Sequence, residues 1–300
     1  MAAKVTVATT WLQGCSGCHI ALLDLHAGLL DLLALIDIRY STIVDVKEVP
    51  RVDVALIEGA VGNEENEHLL KTIRERSTTL IALGTCACFG GLPGLRNLHS
   101  VEDTIDCAYR DAPNTVGGIP GDDAIPRLTP TVRPLDQVVK VDYTIPGCPP
   151  RPEAIFETLA ALLQGREPVM KTRNLCEECS RTKEKMLVPQ RAFVTDGVMS
   201  PHELETIDPN RCFLEQGVLC MGPATREGCE ARCLEGNMPC RGCMGPTPGA
   251  LEQGAKIINS LASILPAGAL MFQEDIVGTG YRYSLPVSII PQTLRGRTVS

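Results

Sequence analysis

Where the cysteines stand limits this chain more than any other feature. There are fourteen, and all but two fall into groups set among glycine and proline turns. Met1 to Thr10 lacks a basic start followed by a uniform apolar run, and no twin-arginine pair appears. A cytoplasmic location is therefore expected, where thiols stay reduced and metal ligation is a better reason for so many of them than disulfides. The longest apolar run, Ile20 to Ile36, is interrupted by Asp24, His26 and Asp31. It predicts an amphipathic helix, not a membrane span.

Over 300 residues, strand and helix signals alternate in the first half only. Strands are expected at Lys4–Thr10, Ile38–Val44, Val52–Ile57, Thr79–Leu83 and Val138–Ile145, with helices at Ile20–Ile36, Glu64–Arg76 and Pro152–Leu163. Such alternation predicts an α/β domain with a parallel sheet covered on both faces. Five prolines between Asp111 and Pro134 mark an irregular surface insertion. From Asn174 to Pro248 the chain is rich in Cys, Gly and Pro, with little periodicity. That segment is expected to build little apolar core and to be organised by bound cofactors. Ala250–Leu265 reads as one more helix, followed by an extended tail. Two domains are expected, 1–168 and 169–300.

Cys15 and Cys18 follow the first expected strand, Cys86 the fourth and Cys148 the fifth. All share the carboxyl edge of the sheet, where loops of open α/β sheets converge on ligands. Four thiolates at one edge suit a [4Fe-4S] cluster. Two other readings stand beside it: a redox dithiol at Cys15/Cys18, and structural zinc. Eight further thiols, Cys176, Cys179, Cys212, Cys220, Cys229, Cys233, Cys240 and Cys243, match the number that two all-cysteine clusters need. Here too a paired-zinc domain is the alternative. Cys88 and Cys107 are left over and read as buried core thiols, although spacing alone leaves Cys88 a rival of Cys86.

Charge and aromatic content narrow the function. A net charge of −8 with 4% aromatic residues carries neither the basic patch nor the stacking rings of a nucleic-acid binder. Protein partners fit better.

The strings TWLQGCSGCHIALLDL, VALIEGAVGNEENE, GTCACFGGLP and PGCPP, followed by the final cysteine array, together resemble the small subunit of nickel–iron hydrogenases over nearly the whole chain. The similarity is greatest to the cytoplasmic methyl-viologen-reducing, non-deazaflavin-reducing type, gamma subunit, which feeds heterodisulfide reductase. The resemblance implies a flavodoxin-like doubly wound sheet followed by a smaller, irregular, ferredoxin-like iron–sulfur domain. It implies three [4Fe-4S] clusters: a proximal one on Cys15, Cys18, Cys86 and Cys148, a distal one on Cys176, Cys179, Cys212 and Cys220, and a medial one on Cys229, Cys233, Cys240 and Cys243. It also implies a large-subunit partner that holds the Ni–Fe centre, so that no catalytic residue is expected here, and a further electron-accepting iron–sulfur or flavin subunit.

The chain departs from exported relatives at three places. Cys176 stands where they carry a ligating histidine, Cys233 adds a fourth medial thiolate, and Gly14 replaces a glutamate. Thiolate-only ligation implies a low-potential path. Glu58 matches a family glutamate facing the proximal site, and a hydrogen-bonding or helix-capping carboxylate is the equal alternative. His19 reads as a packed residue at the helix start, or as an N–H donor to a cluster sulfur. Trp11, the one tryptophan, reads as a core or interface anchor. Arg181, Lys183 and Lys185 read as a solvated face or a docking patch for an acidic partner. Against the hydrogenase reading stand a complex I subunit bearing the terminal cluster, a hydrogen sensor, and a free ferredoxin-like carrier. The first is disfavoured because it uses adjacent cysteines and has no eight-cysteine tail.

Overall fold

Short β-branched runs become strands here because they are buried on both faces. The computed structural model describes residues 4–119, 121–169, 171–184, 207–250, 252–263 and 275–290. Its main sheet is parallel, with strands β1 (Val5–Trp11), β2 (Ile36–Ser41), β3 (Val52–Glu58), β5 (Ser77–Leu83) and β7 (Tyr143–Ile145) in the order β2-β1-β3-β5-β7. This is the flavodoxin order, whose reversal between β1 and β3 opens a crevice at the carboxyl edge. On one sheet face, Leu70 and Ile73 of α3 (Glu64–Arg76) pack with Leu80, Ala55 and Phe89. On the other, Ala21, Leu32, Ile155 and Leu159 pack against Val7, Leu56 and Ile81. They come from α1 (Gly17–Leu23), α2 (Ala27–Leu35) and the helix Pro152–Leu163. Nearly continuous burial of the ends of β3 and β5 explains their unbroken apolar runs.

Three expectations about the first half are corrected. Ile20–Ile36 is not one helix: α1 and α2 are bent by 93°, with His26 at φ 51 between them, and Ile36 opens β2. Among the described residues no single helix is long and apolar enough to cross a membrane. Of Val138–Ile145 only Tyr143–Ile145 is strand, because the Asp142 carboxylate accepts from Leu80 N–H at 2.9 Å and competes with the ladder. The proline-rich insertion contains β6 (Leu128–Arg133), antiparallel to β4 (Val61–Asn63). Pro130 is tolerated in such a two-stranded edge. Asn97 holds β6 from its side, donating to Val132 O at 2.9 Å and accepting from Val132 N at 2.7 Å.

The chain divides into a unit of Met1–Pro168 joined by the segment from Leu285, and a unit of Val169–Ser284. The described residues from Leu285 onward thus group with the first unit and not the second. Nor is the described end of the chain an extended tail, since Ile276–Gly280 and Leu285–Val287 are short helical turns. Gln137 Nε2 donates to Pro286 O at 3.0 Å within the first unit. The second unit has more core than expected: Leu175, Phe213, Leu214, Val218, Leu219, Met221 and Leu234 pack with Ile257 and Leu261 of the helix Gln253–Ala262. Cys220 and Cys240 belong to the same cluster. Lys185, residues 251 and 264–265 of the expected last helix, and the tail beyond residue 290 lie outside the described residues.

Candidate metal centres

Strand register places the ends of the central strands in one row. Trp11 pairs with Glu58, Glu58 with Leu83, and Leu83 with Ile145. The loops that leave this row carry Cys15 and Cys18, Cys86, and Cys148. They are tied to one another. Leu12 N–H donates to Glu58 O at 2.8 Å, and Gln13 exchanges backbone bonds with Ala60 at 3.0 and 2.8 Å. Thr85 N–H donates to Gly147 O at 2.9 Å, while Thr85 Oγ1 accepts from Gly147 N–H at 3.0 Å.

Close approach of thiol sulfur to backbone dictates two glycines. At Gly84, with φ +84, a Cβ would stand 2.2 Å from Cys18 Sγ, and at Gly91, with φ +53, 2.6 Å from Cys86 Sγ. Both also need the left-handed backbone that glycine adopts without strain.

Burial pushes the Cys18 thiol far up, and Glu58, Cys86, Cys148 and Cys15 add to it in that order. Cys86 is pushed up to about 11, first by burial and then by Cys15. Cys148 is pushed up to about 11, by burial and then by Cys86 and Cys15. Cys18, Cys86 and Cys148 therefore each feel at least one other thiol of the set. A redox dithiol needs the opposite shift, toward thiolate at neutral pH. Raised thiols keep their protons until a metal replaces them. Among the described residues no three His, Cys, Asp or Glu side chains meet at the spacing of one metal ion. A four-iron cluster does not require that, because each thiolate binds its own iron. The donor set and its glycine cradle fit such a cluster.

Glu58 is 2% exposed. Its Oε2 accepts from His19 N–H at 3.0 Å, at the start of α1, and pairs with His19 Nδ1 at 2.6 Å. His19 Nε2 in turn meets Thr9 Oγ1 at 2.5 Å. Both ring nitrogens are engaged, so His19 has no N–H for a cluster sulfur and is the packed residue of the two readings. Glu58 caps the helix while its charge reaches Cys18. The half-buried Trp11 meets the His19 ring edge-on at 5.3 Å and 87°. Cys88 is buried and its Sγ donates to Ala82 O at 3.5 Å, turned into the core. Cys107 is exposed in the turn Asp106–Arg110, so the core reading fails for it.

In the second unit, Cys176 is pushed up to about 11 by burial. Lys183 opposes this, and Cys212 and Cys179 add to it. Cys220 reaches about 12 through burial, with Cys176 and Cys212 contributing. Those four thiols share one neighbourhood. Cys229 is raised by burial, then Glu178 and Cys233, and Cys240 by burial, then Cys220 and Cys243. The remaining set thus appears as two pairs, with Cys240 also beside Cys220. Cys240 N–H donates to Cys220 Sγ and Gly242 N–H to Cys240 Sγ, both at 3.4 Å.

The reading of three exposed cations fails for Arg181 alone, since Lys185 lies outside the described residues. Arg181 is buried, whereas Lys183 is exposed and donates to Cys176 O at 3.1 Å. Sequence reasoning also missed Glu178, between Cys176 and Cys179. Its carboxylate accepts from Gly228 N–H at 3.0 Å and Glu230 N–H at 2.9 Å, bracing the loop around Cys229. Burial raises this carboxyl, but Lys171 and those two N–H groups outweigh it and hold it below the ordinary glutamate range.

Comparison with known proteins agrees with this geometry. Residues 15–162 match the family described as NADH ubiquinone oxidoreductase, 20 Kd subunit. That match stops within the first unit, whereas hydrogenase subunits match the whole chain. A subunit of the vhu F420-non-reducing hydrogenase of Methanococcus voltae is 43% identical, covering 97% of this chain and 98% of that protein. Its counterpart in Methanocaldococcus jannaschii is 45% identical, covering 95% and 96%. A crystal structure of an NAD+-reducing [NiFe]-hydrogenase in the H2-reduced state contains a chain 40% identical, with a TM-score of 0.55. It covers 56% of this chain and 96% of that one. The chain belongs to the hydrogenase small-subunit family that includes these F420-non-reducing hydrogenase subunits, and is a subunit of an oxidoreductase.

Proposed function

We propose that this chain carries electrons away from a Ni–Fe centre in a large-subunit partner, to a cytoplasmic iron–sulfur or flavin acceptor such as heterodisulfide reductase. The observation that carries the reading is the convergence of the loops bearing Cys15, Cys18, Cys86 and Cys148 on one sheet edge, tied to one another by backbone bonds. Three [4Fe-4S] clusters would supply one-electron transfer when bound, held by that set and by the distal and medial sets Cys176, Cys179, Cys212, Cys220 and Cys229, Cys233, Cys240, Cys243. The protein's own contribution is to bury Cys18, Cys220 and Cys240, fix the loops that bear the thiols and aim backbone N–H groups at sulfur. Exposed Ile20 and Leu23, on the helix after Cys15, offer an apolar face for the large subunit to cover.

Anaerobically purified protein is expected to contain about twelve iron atoms per chain. Cys220→Ala should remove one electron paramagnetic resonance signal of the second unit and leave that of the first. Stoichiometric zinc with little iron, or joint loss of all signals in the variant, would contradict the assignment.

A further inference from the structure

Arg181 follows Cys179 by two positions and is 5% exposed. Its Nη1 donates to the carbonyls of Asp208 and Arg211, both at 2.9 Å. Nη2 donates to Leu234 O at 3.2 Å and Asn237 Oδ1 at 2.6 Å. The guanidinium lies 3.9 Å from the centroid of the Phe213 ring. Three thiol-bearing segments meet on this one group: Arg211 and Phe213 flank Cys212, Leu234 follows Cys233, and Arg181 itself lies beyond Cys179.

Every acceptor is neutral. Among the described residues no carboxylate pairs with the guanidinium, and its Nε has no hydrogen-bond partner. Arginine stays protonated in proteins. Carbonyl dipoles and a ring face offset part of its desolvation, but a buried cation without a counter-anion remains costly. The carboxylates of Asp208 and Glu235 stand close by but are engaged by Asn210 N–H and Ser180 Oγ, and the thiol sets carried by the segments that Arg181 joins are the further groups able to supply negative charge. A four-iron cluster on four thiolates is an anion, and it gains a further negative charge on reduction.

We propose that Arg181 is the internal counter-cation of the second unit, setting the reduction potentials of both clusters there as well as joining the segments that hold them. The proposal rests on the reading that this unit binds two clusters. Its charge favours the reduced, more negative form of each, and does so in a medium that screens weakly. Lys183 also faces Cys176, but it is exposed and solvent screens it.

The test is a redox titration, followed by electron paramagnetic resonance, of the complete hydrogenase carrying Arg181→Gln or Arg181→Lys. The first-unit cluster serves as internal reference. Arg181→Gln should disfavour reduction of both second-unit clusters about tenfold or more, ~59 mV for a one-electron couple, and leave the reference unmoved. Arg181→Lys should keep both near their original potentials. Arg181→Gln protein with both clusters at unchanged potentials would overturn the proposal. Should that variant lose the clusters, the lysine variant decides. Loading at near-original potentials supports the charge role, and failure to load, or equally shifted potentials, reduces Arg181 to a structural fork. Absence of the two clusters from the unsubstituted hydrogenase would instead remove the parent reading, and it is visible before any variant is made.

Discussion

A single methyl group separates Gly84 from a residue the first site could not hold. A Cβ there would meet Cys18 Sγ at 2.2 Å, on a backbone with φ +84. Gly84→Ala therefore combines left-handed strain of ~1–2 kcal/mol with displacement of the Cys18 thiol, a proposed cluster ligand. The expected outcome is selective: iron falls from about twelve to about eight atoms per chain, and the second unit keeps its two signals. Full retention of iron would show that Cys18 can move without losing its role. The same scale explains what sequence reasoning could and could not resolve. Cys86 and Cys88 are indistinguishable by spacing, yet one sulfur lies against Gly91 and the other turns to Ala82 O. Arg181 looked like one of three surface cations because nothing local shows that Phe213 and the Leu234 carbonyl, far along the chain, close over it.

At the scale of elements, the paired loops after β5 and β7 matter more than either loop alone. Thr85→Val keeps the backbone bond to Gly147 O but leaves Gly147 N–H buried without its Oγ1 acceptor. The loss is expected to be ~1–3 kcal/mol, read as a lower melting temperature of the first unit, and Thr85→Ser should recover most of it. An unchanged melting temperature would mean that the loops are held apart from this bond. Elements whose pattern is self-contained were legible: Glu64–Arg76 and Pro152–Leu163 agree with the expected bounds, and β3 and β5 extend theirs by one or two residues. Elements defined by a distant partner were not. β6 exists because Val61–Asn63 and Asn97 bind it. The end of the 138–145 run is set by what Asp142 does to Leu80. The break between α1 and α2 depends on a positive φ at His26 that composition does not announce.

Taken whole, the molecule joins two units of unlike construction. The first has a five-stranded sheet with apolar cores on both faces. The described part of the second has no strand ladder, and Cys220 and Cys240 sit inside its apolar cluster. Removing iron should therefore weaken the second unit more than the first, since binding energy there is also folding energy. Calorimetry before and after chelation is expected to show the second unit's transition lost or strongly lowered while the sheet unit's persists. Equal losses would argue against this asymmetry. The register row of Trp11, Glu58, Leu83 and Ile145 also has a consequence for biosynthesis. Donors fed from that row come from positions 15 to 148, so no nascent fragment shorter than this contains the complete set. Until Cys148 has left the ribosome and β7 has docked beside β5, a scaffold delivering iron and sulfide meets only part of a receptacle. Loading of the proposed first cluster would then act as a checkpoint on the finished sheet.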